Sequence, residues 1–206
     1  MDKNNDILVI RSGRWGMKNG KFIVVSGPSG VGKGTICNKL INDLGAEYSV
    51  SYTTRSPREG EVDGVNYNFI SRDEFERKIR KGDFIEYNLY NGNYYGTSRD
   101  FVMSKLNKGI NVFTEIDVNG AKNIKKMFSD ALLIYIAPPS MEELRKRLIG
   151  RGTEDESIIK ERLKIAEEEL KYKDMYDYVV INDDIEKATK KVKDIIEGNL
   201  CDGKSY

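Results

Sequence analysis

The chain has 206 residues, 34 of them Lys or Arg against 33 Asp or Glu, for a formal net charge of +1. That balance predicts no nucleic-acid partner and no anionic membrane surface, and no apolar run approaches the roughly 18 residues of a membrane span. There is no histidine, which removes the commonest general base, the commonest zinc ligand and every Ser–His or Cys–His nucleophile. Any chemistry must therefore rest on Arg, Lys, Asp, Glu and the backbone.

Cys37 and Cys201 lie far apart and form no C-x-x-C pair. With no basic-then-apolar N-terminus, they predict a reduced, soluble, cytoplasmic protein. The length suits one domain with room for an inserted subdomain.

Residues 1–20 carry a short apolar run, Ile7–Ile10, and a Gly-rich basic stretch with the single Trp, Trp15. They read as an N-terminal extension or a small hairpin, with no assigned function. Phe22–Val25 is short, β-branched and apolar, as a strand buried on both faces should be. Gly27, Gly30 and Gly32 follow, then Lys33 and a helix-like run through Ile36, Lys39, Leu40 and Ile41. Glycines that let successive N–H groups converge, beside a lysine and a helix N-terminus, form a loop for polyphosphate. The pattern G-x-x-x-x-G-K-[ST] is met except that Gly34 stands in place of Ser or Thr, with Thr35 one position later.

Further strands are predicted at 47–51, 109–116, 131–137 and 178–181, and helices at about 98–107, 118–128, 140–149, 155–172 and 184–197. This alternation argues for a parallel sheet covered on both sides. Ser71–Glu74 and Ser140–Glu143 carry the spacing of capping boxes, and Pro138-Pro139 closes the strand before the second. Residues 52–97 break the alternation: rich in Gly, Tyr and Asn, with one helix at about 72–81, they read as an inserted mixed subdomain.

That insertion opens with two arginines, Arg55 and Arg58, three apart on a proline-containing loop. Arginine forks are good phosphate ligands, and Tyr67 and Tyr95 could add phenolic donors. The plainer reading pairs the arginines with Glu59 or Glu61 and leaves the tyrosines half-buried in a small sheet. The whole string S-x-T-T-R-x-P-R-x-G-E-V-x-G-x-x-Y-x-F from Ser51, beside a phosphate loop, resembles the guanylate kinases. So do Phe84-Ile85-Glu86, Gly92–Thr97, Ile116–Gly120, Ile136–Ser140, Arg147–Thr153 and Ile181–Asp184.

The resemblance runs from about Lys21 to Glu197 and implies an α/β fold: a P-loop NTPase three-layer core with a parallel sheet, an inserted GMP-binding subdomain and a helical lid. The core would comprise 21–51, 98–150 and 173–197, the GMP-binding subdomain 52–97 and the lid 151–172, with 198–206 a C-terminal tail. It implies transfer of the γ-phosphoryl group of ATP to GMP with Mg²⁺, dGMP being a second candidate acceptor, by a protein expected to be a monomer. Arg55, Arg58, Tyr67 and Tyr95 would surround the GMP phosphate, and Ser51, Glu86, Thr97 and Asp117 the guanine, with Gly96 also in the GMP site. A carboxylate at Glu86 can accept both N1–H and N2–H of guanine, whereas adenine offers no such donor pair. ATP would meet Gly27, Ser29, Gly30, Val31, Gly32, Lys33, Gly34, Thr35, Asn182 and Asp183. Lys33, Arg58, Arg151 and Arg162 would stabilise the phosphoryl in flight, and Thr35 and Glu115 would serve the metal. Gly34 lacks the expected hydroxyl, and Glu115 stands where the family often has Asp. The alternatives are a phosphopeptide-binding module of the same fold, which an intact phosphate loop opposes, and a monophosphate kinase for another base, which Glu86 and Ser51 oppose.

Overall fold

The computed structural model describes residues 20–90, 92–150 and 156–201. The expected N-terminal run Ile7–Ile10, Trp15 and the lid residue Arg151 lie outside them. The chain runs β1 (Phe22–Ser26), α1 (Lys33–Asp43) and β2 (Glu47–Tyr48), then β3 (Tyr52–Thr53), β4 (Asn68–Phe69), α2 (Arg72–Lys81), β5 (Phe84–Tyr90) and β6 (Asn93–Ser98). It continues with α3 (Arg99–Leu106), β7 (Val112–Glu115), α4 (Val118–Met127), β8 (Leu132–Ala137), α5 (Met141–Ile149), α6 (Glu156–Leu170), β9 (Tyr178–Ile181) and α7 (Ile185–Cys201).

All five residues of β1 are buried, and its alternating side chains feed two cores. Ile23 and Val25 join Ile36 and Leu40 of α1, Leu144 of α5, Ile159 of α6 and Val192 of α7. Phe22 and Val24 join Val102 of α3 and Ala121 and Ile124 of α4 on the other face. A strand covered on both sides has no polar face, which explains the uninterrupted apolar run. The central sheet has the order β2-β7-β1-β8-β9 with every neighbouring pair parallel. Helices on both faces complete a three-layer α/β fold. Among the described residues no helix is long and apolar enough to cross a membrane.

The inserted segment forms its own sheet, β4-β3-β6-β5, with β6 antiparallel to both neighbours. Phe75 of α2 stacks on Phe84 and Tyr94, with ring centroids 4.3 and 5.1 Å away. Ile85 of β5 inserts into the core beside α3 and α4, tying this sheet to the central one.

Two strands are shorter than their sequence suggests. The run 109–116 pairs only from Val112, because Gly109 (φ 75°) and Ile110 close the end of α3 by donating to Leu106 O and Lys105 O. The run 47–51 pairs only through Tyr48. Ser49 N still reaches Phe113 O, but Ser51 O accepts from Asn68 N and the chain crosses to the second sheet. Ser71 Oγ and Ser140 Oγ cap α2 and α5, accepting from the N–H groups of Glu74 (3.2 Å) and Glu143 (3.1 Å), as the capping boxes predict. The last helix extends to Cys201, past the expected end at 197.

Candidate active site

The loop between β1 and α1 opens at the carboxyl end of the parallel sheet, where α/β proteins bind ligands. Gly30 and Gly32 have φ of 88° and 97°, a left-handed region that other residues enter at a cost. Side chains there also lack space: a Cβ at Gly27 would lie 2.2 Å from Ile136 O, and one at Gly32 2.6 Å from Asn182 Nδ2. α2, α3, α4 and α5 have side-chain caps, whereas α1 starts from Gly32 with none. An uncapped N-terminus following a glycine loop suits an anion, which can take the N–H groups that a cap would otherwise satisfy.

Lys33 Nζ donates to Gly27 O (2.7 Å) and Pro28 O (3.1 Å) and stands 3.9 Å from Glu115 Oε1. The two departures from the expected pattern meet here, since a Cβ at Gly34 would lie 3.2 Å from Glu115 Oε2. Among the described residues no group of three acidic, His or Cys side chains could cage a metal. One carboxylate beside a phosphate loop nevertheless fits Mg²⁺, which commonly takes one or two carboxylates together with nucleotide phosphates and water. Thr35 is exposed on α1 and does not line the cavity, so Glu115 alone of the two expected ligands stands there.

A single cavity is lined by Gly27, Ser29 and Lys33 from the loop, by Ser51, Arg55, Arg58, Tyr67, Glu86, Tyr95 and Gly96 from the insertion and its entry, and by Glu115 and Asp117 after β7. Arg162 of α6 completes this set and donates to Ser29 Oγ at 3.4 Å. Arg55 holds Glu61 through two bonds of 2.9 Å, and Glu61 also accepts from Arg58 N at 2.7 Å. The plainer pairing of Arg55 and its place in the cavity are therefore both correct: Glu61 orders the arginine loop. Burial would raise the Glu61 carboxyl, but the hydrogen bonds from Arg55 and from Arg58 N, with the charges of both arginines, together outweigh it and the carboxyl lies below its ordinary value. Burial pushes the phenols of Tyr67 and Tyr90 up to about 12, so both remain donors at neutral pH.

Glu86 is 6% exposed and accepts from Thr97 Oγ1 at 2.6 Å. Burial pushes its carboxyl up to about 7; the Thr97 bond opposes this and the charge of Asp117 adds to it. Gly120 is required beside it, because a Cβ there would lie 2.8 Å from Glu86 Oε2. Asp117 caps α4, accepting from Gly120 N at 2.8 Å, so the two carboxylates border one turn.

Gly30, Val31, Gly32, Gly34, Thr97, Asn182 and Asp183 do not line the cavity. Asn182 is buried behind the loop and its side-chain Nδ2 donates to Val31 O at 2.7 Å, while its backbone carbonyl accepts from Arg147 at 2.9 Å. The cavity adds Asn88, Tyr90, Asn93, Ile116 and Glu169, which sequence reasoning missed. Asn88 and Tyr90 follow Glu86 at strand period two, and Glu169 follows Arg162 by two helical turns, so periodicity was the available signal. The Glu169 carboxyl is raised to about 7 by burial, with Lys33 pulling it down and Asp117 pushing it up.

A sequence model described as "Guanylate kinase" matches residues 19–199. A guanylate kinase of Shouchella clausii is 50% identical over 185 residues, covering 89% of this chain and 90% of its own. One of Clostridium tetani is 47% identical over 185 residues, covering 90% and 89%. The crystal structure of guanylate kinase from Anaplasma phagocytophilum superposes with a TM-score of 0.74 at 36% identity, over 88% of this chain and 87% of its own. The sequence model spans most of the chain, the relatives agree at half their positions, and the solved structure shares the fold: the chain belongs to the guanylate kinase family.

Proposed function

We propose that this chain transfers the γ-phosphoryl group of ATP to GMP, giving ADP and GDP. The observation that carries this reading is Glu86, a carboxylate 6% exposed that faces the same cavity as Lys33 on the phosphate loop. Guanine places N1–H and N2–H on such a carboxylate, while adenine offers no such donor pair and would leave it buried with only its Thr97 bond, and sites of this kind can reject the wrong substrate by ~10⁴ or more.

On this reading Arg55, Arg58, Tyr67 and Tyr95 hold the GMP phosphate, Ser51, Glu86 and Asp117 surround the base with Gly96 beside them in the GMP site, and Thr97 acts from behind by its bond to Glu86. A phosphate monoester has its second pKa near 6, so the attacking oxygen is largely deprotonated at neutral pH. No general base is needed, and the histidine-free chain can do the chemistry. What the protein supplies is in-line alignment of two anions and positive charge at the loosened transition state. Lys33 would leave its loop carbonyls for the ATP phosphates, and Arg58 and Arg162, with Arg151, would bracket the group in transfer. Mg²⁺ carried with ATP, held by Glu115 and the phosphates, would add charge neutralisation. The cavity takes its walls from the core, from the insertion and from α6, so closure of residues 52–97 and 151–172 over the core would exclude water that could otherwise intercept the phosphoryl group.

The test is ADP formation from Mg·ATP with GMP, dGMP, AMP, UMP and dTMP as separate acceptors. Turnover with GMP, alone or with dGMP, is expected. Equal turnover with AMP, or none above the acceptor-free control, would overturn the reading.

A further inference from the structure

We propose that Asn88 is a positioning residue for base selection: it holds Asp117 so that its free lone pair meets the 2-amino group of the acceptor purine. The proposal rests on the functional reading above and extends it to a residue that its site does not include.

Glu86, Asn88 and Tyr90 lie on one side of β5 and all line the cavity, whereas Tyr87 (43% exposed) and Leu89 (52%) face solvent. The strand thus carries a short amide into the cavity two residues beyond the buried carboxylate. Asn88 Nδ2 donates to Asp117 Oδ2 at 2.7 Å, while Asp117 Oδ1 accepts from Gly120 N at 2.8 Å. One oxygen is held by the first turn of α4 and the other by the inserted sheet, so the carboxylate cannot rotate without breaking a bond. A carboxylate oxygen has two acceptor sites, and Oδ2 keeps one after Asn88 is bound.

Glu86 Oε2 reaches the same turn of α4, 2.8 Å from where a Gly120 Cβ would be. Guanine presents N1–H and two hydrogens on N2. Glu86 can take N1–H and one N2–H, which leaves the second N2–H for a separate acceptor. Asp117, oriented by Asn88, provides one in the same part of the cavity. Loss of Asn88 would leave Asp117 pinned at one oxygen only and free to turn its other lone pairs away.

GMP and IMP differ only in the 2-amino group, so they isolate this contact. With Mg·ATP, Asn88→Ala is expected to lower kcat/KM for GMP about tenfold, chiefly through KM, since hydrogen bonds involving charged groups carry about that much. The constant for IMP should change less than about threefold, and KM for ATP should hold. Asn88→Asp keeps the shape but removes the donor and adds a third carboxylate, so it should lower GMP use further. Equal loss for GMP and IMP in both variants, or an unchanged ratio, would overturn the role of Asn88. Failure of the wild-type protein to use GMP would instead overturn the functional reading, and this inference with it.

Discussion

Replacing Glu86 with Gln should move stability and activity in opposite directions. A carboxyl that titrates near 7 instead of 4.5 costs the folded state about 3 kcal/mol once it is ionised in both states, at about 1.4 kcal/mol per pKa unit. The sign follows from the raised folded pKa. Below about pH 4.5 both states carry the proton and there is no penalty; it grows as pH rises and is complete above about 7. Gln keeps the size and can still accept from Thr97 Oγ1, so Glu86→Gln should be more stable than wild type by up to about 3 kcal/mol at pH 8. For a chain of this length that is roughly 6–12 °C in melting temperature, and the advantage should shrink to under about 1 kcal/mol by pH 5. In parallel, kcat/KM for GMP should fall ~10²–10⁴-fold while KM for ATP holds. Melting curves of both proteins without nucleotide, from pH 5 to 8, and steady-state kinetics at pH 8 measure the two effects. An advantage independent of pH, or a less stable variant at pH 8, would refute burial as the cause of the raised pKa. Equal losses of GMP and ATP use would refute Glu86 as the base-reading group.

Arg58 is exposed, so Arg58→Ala should leave stability within about 0.5 kcal/mol while lowering kcat/KM for GMP by ~10² or more; matching melting curves beside slowed turnover would show this. Gly120→Ala places a Cβ 2.8 Å from Glu86 Oε2, and it should raise KM for GMP more than KM for ATP, read from initial rates with each nucleotide varied. Asn182→Ala removes the bond to Val31 O and leaves that carbonyl behind the loop without its donor. It should cost about 1–3 kcal/mol and weaken ATP binding, checked by denaturant unfolding and by calorimetry with ATP.

The phosphate loop was legible because its determinants lie within Phe22–Leu40: an apolar run, glycines at left-handed positions, a lysine and the uncapped start of a helix. The same holds for the capped starts of α2 and α5, where a serine and the N–H three residues later suffice. These signals are local dihedral and hydrogen-bond preferences, readable wherever the partners are neighbours in the chain. The parallel alternating core followed from the same kind of evidence.

What the tertiary structure decided was which groups share a space. Period two put Asn88 on the side of Glu86, but only the packing of β5 against α4 brought it to Asp117, 29 residues away. Arg162 meets Ser29 across 133 positions, and Asn182 proved to brace the loop from behind. Thr35, one residue past the expected position, turned outward from the cavity. The resemblance singled out Glu86 as the base-reading carboxylate, but not its protonation; its pKa near 7 comes from burial against Gly120 and the charge of Asp117. Desolvation and Coulomb interaction depend on distance in space, so they appear only once the two sheets and α6 close around the same cavity.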